Sequence, residues 1–242
     1  MNMDVGNRVY KTIRRPDKAL VEQFRNIPSS NIGDMMNRLY CMRHTINRIG
    51  RTDIRMLGTA ITVKIPDGDN AFIHAALDLA EEGDVLVIDG NGCLTRSLMG
   101  EMMFNYAHNR GIAGIVVDGA IRDSDSLQTL PIPVYAAGIT PQGPYKNGPG
   151  EINIPVSCGG QVVFPGDILV GDADGVVVIH AADAPKIIAA AQKKYEDELE
   201  RLKCYHTMGN IDAESHNKKF TELMEKLHTT VYQEDSKAYY ED

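Results

Sequence analysis

Short β-branched runs alternate along the middle of the chain with stretches whose apolar positions recur every three or four residues. Leu57, Ala60, Ile61, Val63 and Ile65 predict a strand from Met56 to Ile65, ended by the turn Pro66-Asp67-Gly68-Asp69-Asn70. A helix from Ala71 to Glu82 follows, then a strand from Asp84 to Ile88 that Asp89-Gly90-Asn91-Gly92 closes. Ser97 to Arg110 reads as a helix stopped by Gly111. Ile115-Val116-Val117 is too short for a helix and reads as a buried strand, entered through Gly114 and left through Asp118-Gly119. Alternation of this kind predicts an α/β core.

The flanks read differently. Residues 1–16 are polar and form an arm. Pro16-Asp17 opens a helical pattern through Leu20, Val21 and Phe24, and Ser29-Ser30-Asn31 cap a second helix carrying Ile32, Met35, Met36 and Leu39. After Pro133–Ala137, another strand, a Pro/Gly-rich loop leads into short strands at 152–156, 161–164, 168–170 and 176–179, an antiparallel pattern. A long helix runs from Asp183 to about Lys203, and a further helix near 214–232 lacks the apolar density to fold alone, so it is expected to pack on the main domain or another subunit. The expected division is an arm (1–16), a core (17–180) and a helical extension (181–242).

Composition narrows the class. Hydrophobic content of 43% and charged content of 24% suit a globular protein, and no apolar run reaches membrane-spanning length, which excludes a membrane partner by this reading. The N-terminus shows no apolar core of a secretory signal, so a cytoplasmic address is the default. A formal charge of −8 argues against a nucleic-acid partner, which requires a basic face. Cys41, Cys93, Cys158 and Cys204 are widely spaced without a C-x-x-C pair, so free thiols are expected.

The chemistry centres on Gly111 to Asp123. Arg122 and Asp123 are neighbours that would point to opposite faces of an extended chain, so a shared site requires the backbone to turn there. Asp123 is either the N-cap of a helix running into Leu127 or the carboxylate anchor of a cation, beside a guanidinium fork suited to a carboxylate or enolate oxygen. Gly100 in Gly100-Glu101-Met102-Met103 marks a helix start whose free N–H groups can hold a carboxylate, with Glu101 either a first-turn acid at that site or a solvated glutamate. His74 is a structural histidine or a substrate-orienting one. Lys64 and Lys146 sit near turns and are the candidates for a Schiff base, although nothing in the sequence marks either as desolvated. Asp172-Ala173-Asp174-Gly175 lacks the further ligands of a calcium loop and reads as a turn.

The blocks GDVLVIDG, GEMM, GIAGIVVDGAIRD, GPGEINIPVSCGG and PGDILVGDADGVVVI, in this order, resemble the family that unites 4-hydroxy-4-methyl-2-oxoglutarate/4-carboxy-4-hydroxy-2-oxoadipate aldolases with the regulator of ribonuclease activity A. The resemblance spans roughly residues 17–203. It implies an α-β-β-α sandwich like the swivelling phosphohistidine domain, homotrimers or homohexamers, and active sites at subunit interfaces. It implies further that Asp123 holds Mg²⁺ or Mn²⁺ largely through water, that Arg122 binds the keto and enolate oxygen, and that the backbone from Gly100 to Met103, including Met102, receives the pyruvyl carboxylate. His74 matches a histidine near the pocket, and Glu198, or alternatively Glu196, matches a glutamate supplied by a neighbouring subunit. Where characterised aldolases often carry Asp after the glycine, this chain carries Glu101.

Two functions follow from that resemblance. One is a metal-dependent pyruvate aldolase acting on 4-hydroxy-2-oxo di- or tricarboxylic acids, with oxaloacetate decarboxylation as a related activity; Glu101, directly or through a water, takes the C4 hydroxyl proton. The other is a protein-binding regulator. The N-terminal helices and long C-terminal helix favour the aldolase, because the regulator type is more compact.

Overall fold

A computed structural model describes residues 4–208, 213–230 and 232, with the side chains of 204–208 and 213–216 outside the described set. Two compact units divide the chain, residues 1–195 and 196–242.

The first unit is built on a mixed sheet of eight strands. Strands β1 (Asn47–Ile49), β5 (Val134–Ile139), β4 (Gly114–Ile121), β3 (Asp84–Ser97), β2 (Met56–Lys64), β9 (Ile168–Asp172) and β10 (Gly175–Ile179) lie in that spatial order, and β6 (Glu151–Ile152) adds to β2. The neighbours β2, β3, β4 and β5 run parallel, whereas β1, β9 and β10 pair antiparallel. Parallel strands covered on both faces read as unbroken apolar runs, which is why β4 is so conspicuous in the sequence.

Alternation assigns the faces. Ile61, Val63, Leu86, Ile88, Ile115 and Val117 point towards helices α3 (Ala71–Leu79) and α4 (Glu101–Asn109). Ala60, Val85, Val87 and Val116 point the other way, against the hairpin of β7 (Val156–Cys158) and β8 (Gln161–Val163). Helices α1 (Lys18–Glu22) and α2 (Ser29–Met35) cover the β9–β10 wing, together with the start of α5 (Ala184–Met208). Ala184, Ile188 and Ala191 are buried there at helical spacing. The α/β expectation therefore holds, with antiparallel pairing in the later part of the sequence.

Several boundaries differ from the sequence reading. Strand β3 does not close at Asp89 but continues to Ser97 through two register shifts, since Cys93 and Ser97 still pair with Gly119 and Ala120 of β4. Correspondingly β4 runs past Asp118-Gly119 to Ile121. Ser29 does not cap α2: it is the first helical residue, and its N–H and hydroxyl both donate to the Asp172 carboxylate, at 2.8 and 2.6 Å. The 172–174 segment is indeed the β9–β10 turn. The arm is fastened to the core, with Arg8 paired to Glu151 and Arg15 forked onto Asp84 at 2.9 and 2.7 Å.

In the second unit, α5 continues to Met208 and α6 spans Ala213–Lys226, with Phe220 and Leu223 exposed on it. Among the described residues no helix is long and apolar enough to cross a membrane.

Candidate active site

The site lies at the carboxyl end of β4, the usual place for ligands in parallel α/β sheets. Ile121 pairs with Ile139 of β5, and the next residue, Arg122, donates its N–H to Met99 O at 3.0 Å. Asp123 then adopts the left-handed conformation (φ 56°, ψ 38°), which an aspartate tolerates better than most residues. This is the turn that the two neighbours need. Arg122 Nε lies 3.4 Å from Asp123 Oδ2, with both side chains a little under half exposed.

Asp123 precedes a 3₁₀ turn, Ser124–Gln128, but its side chain makes no capping bond there. The carboxylate instead accepts the Glu101 N–H at 3.0 Å and so caps α4 from another part of the chain. Gly100 occupies the N-cap position without a side chain of its own. A Cβ at Gly100 would stand 2.5 Å from Asp123 Oδ2 and 2.9 Å from Arg122 Nε. Glycine is required there by that close approach, not by its backbone angles.

Beside this junction is a cleft of about 190 Å³ whose walls include Asn70, His74, Gly100, Met103, Arg122 and Lys146. The two Nη groups of Arg122 meet no acceptor among the described residues, with Nη1 lying against Gly143. Burial lowers the pKa of His74, and the charge on Lys146 lowers it further. Met102 is exposed at the rim, whereas Met103 packs into the core. Glu101 is exposed in the first turn of α4.

The expected carboxylate cradle narrows. Glu101 N–H is taken by Asp123 and Met103 N–H by Gly100 O at 2.9 Å, so within Gly100–Met103 only the N–H groups of Gly100 and Met102 are free among the described residues. For a metal, the donor set is a single carboxylate: Oδ1 of Asp123 is without a partner among the described residues, and no group of three or more His, Cys, Asp or Glu side chains is gathered there. One unpartnered carboxylate oxygen on a side chain a little under half exposed suits a hard dication that keeps most of its waters.

Other candidates fall elsewhere. Lys64 Nζ is paired with Asp89 at 2.6 Å, which removes it as a free amine. Glu196 and Glu198 belong to the second unit and have interactions within the structure. Sequence reasoning passed over Asp69-Asn70 as the tail of a turn. Asp69 Oδ1 accepts Ala71 N–H at 2.9 Å, and Oδ2 accepts Asn147 and Gly148 N–H at 2.6 and 3.1 Å. Asn70 Nδ2 donates to Leu98 O at 3.0 Å. The signal available was an Asp-Asn pair directly before a helix.

The aldolase/RraA family model, RraA-like, matches residues 29–178, more than half of the chain. A protein of Halalkalibacterium halodurans named putative 4-hydroxy-4-methyl-2-oxoglutarate aldolase is 41% identical over 181 residues, covering 75% of this chain and 86% of that protein. The 4-hydroxy-4-methyl-2-oxoglutarate aldolase of Thermus thermophilus is 36% identical over 125 residues, or 52% and 76% of the two chains. Among solved structures, a Streptomyces coelicolor member of the RNase ES inhibitor RraA family superposes with a TM-score of 0.70 at 28% identity, covering 78% of this chain and all of that one. The Thermus thermophilus RNA-processing inhibitor RraA gives 0.58 at 31% identity, covering 63% and 92%.

Proposed function

The chain belongs to the RraA-like aldolase family, and on that premise we propose that it is a divalent-metal-dependent pyruvate aldolase cleaving 4-hydroxy-2-oxo acids of the 4-hydroxy-4-methyl-2-oxoglutarate type. The observation that carries this reading is the junction of Arg122, Asp123 and Gly100, where a guanidinium with unengaged Nη groups stands beside a carboxylate with one free oxygen.

Asp123 Oδ1 is the proposed anchor for Mg²⁺ or Mn²⁺, with water completing the shell. When bound, the dication supplies Lewis-acid stabilisation of negative charge on the 2-oxo oxygen. Arg122 donates to that same oxygen, and its planar fork strengthens its hold as charge builds during C–C cleavage. Gly100 and Met102 N–H groups receive the C1 carboxylate at the positive end of α4. Glu101 accepts the proton of the C4 hydroxyl, which lets the C3–C4 bond break to leave the pyruvate enolate, and protonation of C3 then yields pyruvate. Decarboxylation of oxaloacetate would use the same electron sink. The working assembly proposed is a homotrimer or homohexamer with Glu198 contributed across an interface.

A coupled assay for pyruvate release from 4-hydroxy-4-methyl-2-oxoglutarate and from oxaloacetate, with Mg²⁺ and with excess chelator, tests this. Chelator-sensitive turnover is expected. Absence of turnover on either substrate with metal present would shift the reading to a protein-binding regulator, the alternative suggested by similarity to the RraA structures.

A further inference from the structure

The loop that follows β5 reaches the cleft and then returns to the sheet. Pro144 and Lys146 stand in the cleft wall, and Gly143 lies against Arg122 Nη1. The start of the loop is tied to the core, because Gln142 O accepts the Ser97 N–H at 2.7 Å, and its middle is tied by Asp69, which accepts the Asn147 and Gly148 N–H groups. Its far end runs into β6, a strand of only two residues that pairs with β2 along one edge. So short a strand supplies few hydrogen bonds, and its other edge stays open unless something pairs with it.

The N-terminal arm pairs with it. Gly150 N–H donates to Gly6 O at 2.8 Å, Ile152 N–H to Arg8 O at 2.9 Å and Tyr10 N–H to Ile152 O at 3.2 Å, a parallel bridge centred on Val9 and Ile152. Asn153 Nδ2 donates to Tyr10 O at 2.7 Å. The Glu151 carboxylate, on a residue only 7% exposed, accepts the Gly6 N–H at 3.2 Å and is paired with the Arg8 guanidinium. Yet the arm buries little apolar surface, since Val5, Val9 and Tyr10 are all exposed. Val5 and Gly6 of the arm and Pro149 and Gly150 of the loop border a hollow of about 270 Å³, which leaves room for the two segments to shift. A segment held by hydrogen bonds and one ion pair, rather than by buried side chains, belongs to the readily opened end of a fold. The arm also lies outside residues 29–178, which the family model matches.

We propose that the arm is a strap that sets the 143–150 loop in the wall of the cleft, with Arg8 and Glu151 as positioning residues for substrate binding. Only two residues separate Gly148, held by Asp69, from Gly150, held by the arm, so release at one end is felt at the other. Undocking of the arm lowers the fraction of molecules whose loop is in place, and apparent affinity falls with that fraction. The inference rests on the aldolase reading for what binds in the cleft, but not for the coupling of arm to loop.

Amide hydrogen exchange of the full chain, resolved to single residues, separates the inference from the reading. Arg8→Ala and Glu151→Gln should each speed exchange about 10-fold at Asn147 and Gly148, the scale of losing one charge-assisted hydrogen bond. Those two amides bond to Asp69 and not to the arm, and the change is counted beyond any at Val116 and Val117 of β4, which report global unfolding. Arg8→Lys, which keeps a cation for Glu151, should retain most of the protection. In pyruvate release, Arg8→Ala should raise KM about 10-fold and leave kcat within about 2-fold, because the strap shifts a population and touches no reacting atom. Unchanged exchange at Asn147 and Gly148, or an unchanged KM in an active enzyme, would overturn the inference. Should exchange respond as expected without any aldol turnover, the strap's hold on the loop stands and the aldolase reading falls.

Discussion

Asp123 accepts the backbone N–H of Glu101 at 3.0 Å across 22 residues of sequence, so one carboxylate caps the start of helix α4 with Oδ2 and keeps Oδ1 without a partner among the described residues. The two duties separate by substitution. Asp123→Asn keeps an acceptor for the N–H but removes the charge, so thermal stability should be held while metal-dependent turnover is lost. Asp123→Ala removes both and should cost about 1 kcal/mol of stability in addition, the value of a helix cap. Denaturation midpoints and pyruvate release for the two variants check this; equal stability losses would mean that the cap contributes nothing.

Gly100→Ala is the smallest change that should disable the site. Its methyl would enter the space held by Asp123 Oδ2 at 2.5 Å and Arg122 Nε at 2.9 Å, forcing the pair apart. Displacement of about 1 Å costs on the order of 100-fold in rate, so kcat/KM should fall by about that factor with the circular dichroism spectrum unchanged.

Legibility in the sequence followed locality. The runs at 56–65 and 115–117, the helix stop at Gly111 and the glycine before Glu101 announced themselves because their causes lie within a few residues. Arg122 and Asp123 were readable as a pair, but not the left-handed turn that unites them or the partner that Asp123 caps. The continuation of β3 to Ser97 was hidden, since Cys93 and Ser97 are held by pairing with β4 rather than by their own alternation. Asp69 looked like turn filler because the N–H groups it serves lie 78 and 79 residues away.

Asp69→Ala should be among the most damaging substitutions outside the core. It leaves three backbone N–H groups without their acceptor around a nearly inaccessible position. Loss of buried hydrogen bonds to a charged group is worth about 3 kcal/mol. Urea unfolding should show that loss, and an effect below about 1 kcal/mol would indicate that the 143–148 loop is held by other means.

The arm has its own pH signature. The Arg8 guanidinium, assisted by Gly6 N–H, holds the Glu151 carboxyl below its ordinary value of 4.5. A lowered carboxyl pKa stabilises the fold above the unfolded value, and this contribution is lost as pH falls through the folded one. Arg8→Ala should therefore destabilise the protein at pH 7, with the difference from the unmodified protein shrinking as pH drops below 4.5. Urea midpoints for both proteins along a pH series measure it, and a constant difference would place the effect of Arg8 in packing instead.

The most direct test is the ratio of kcat/KM for pyruvate release between the unmodified protein and Arg122→Lys, measured with saturating Mg²⁺ on 4-hydroxy-4-methyl-2-oxoglutarate. Lysine keeps the positive charge but has no planar fork to follow the charge that develops on the keto oxygen. A fall of about 1,000-fold, the scale of losing a positioned oxyanion donor, is the predicted result. Turnover by Arg122→Lys at the rate of the unmodified protein would contradict the account.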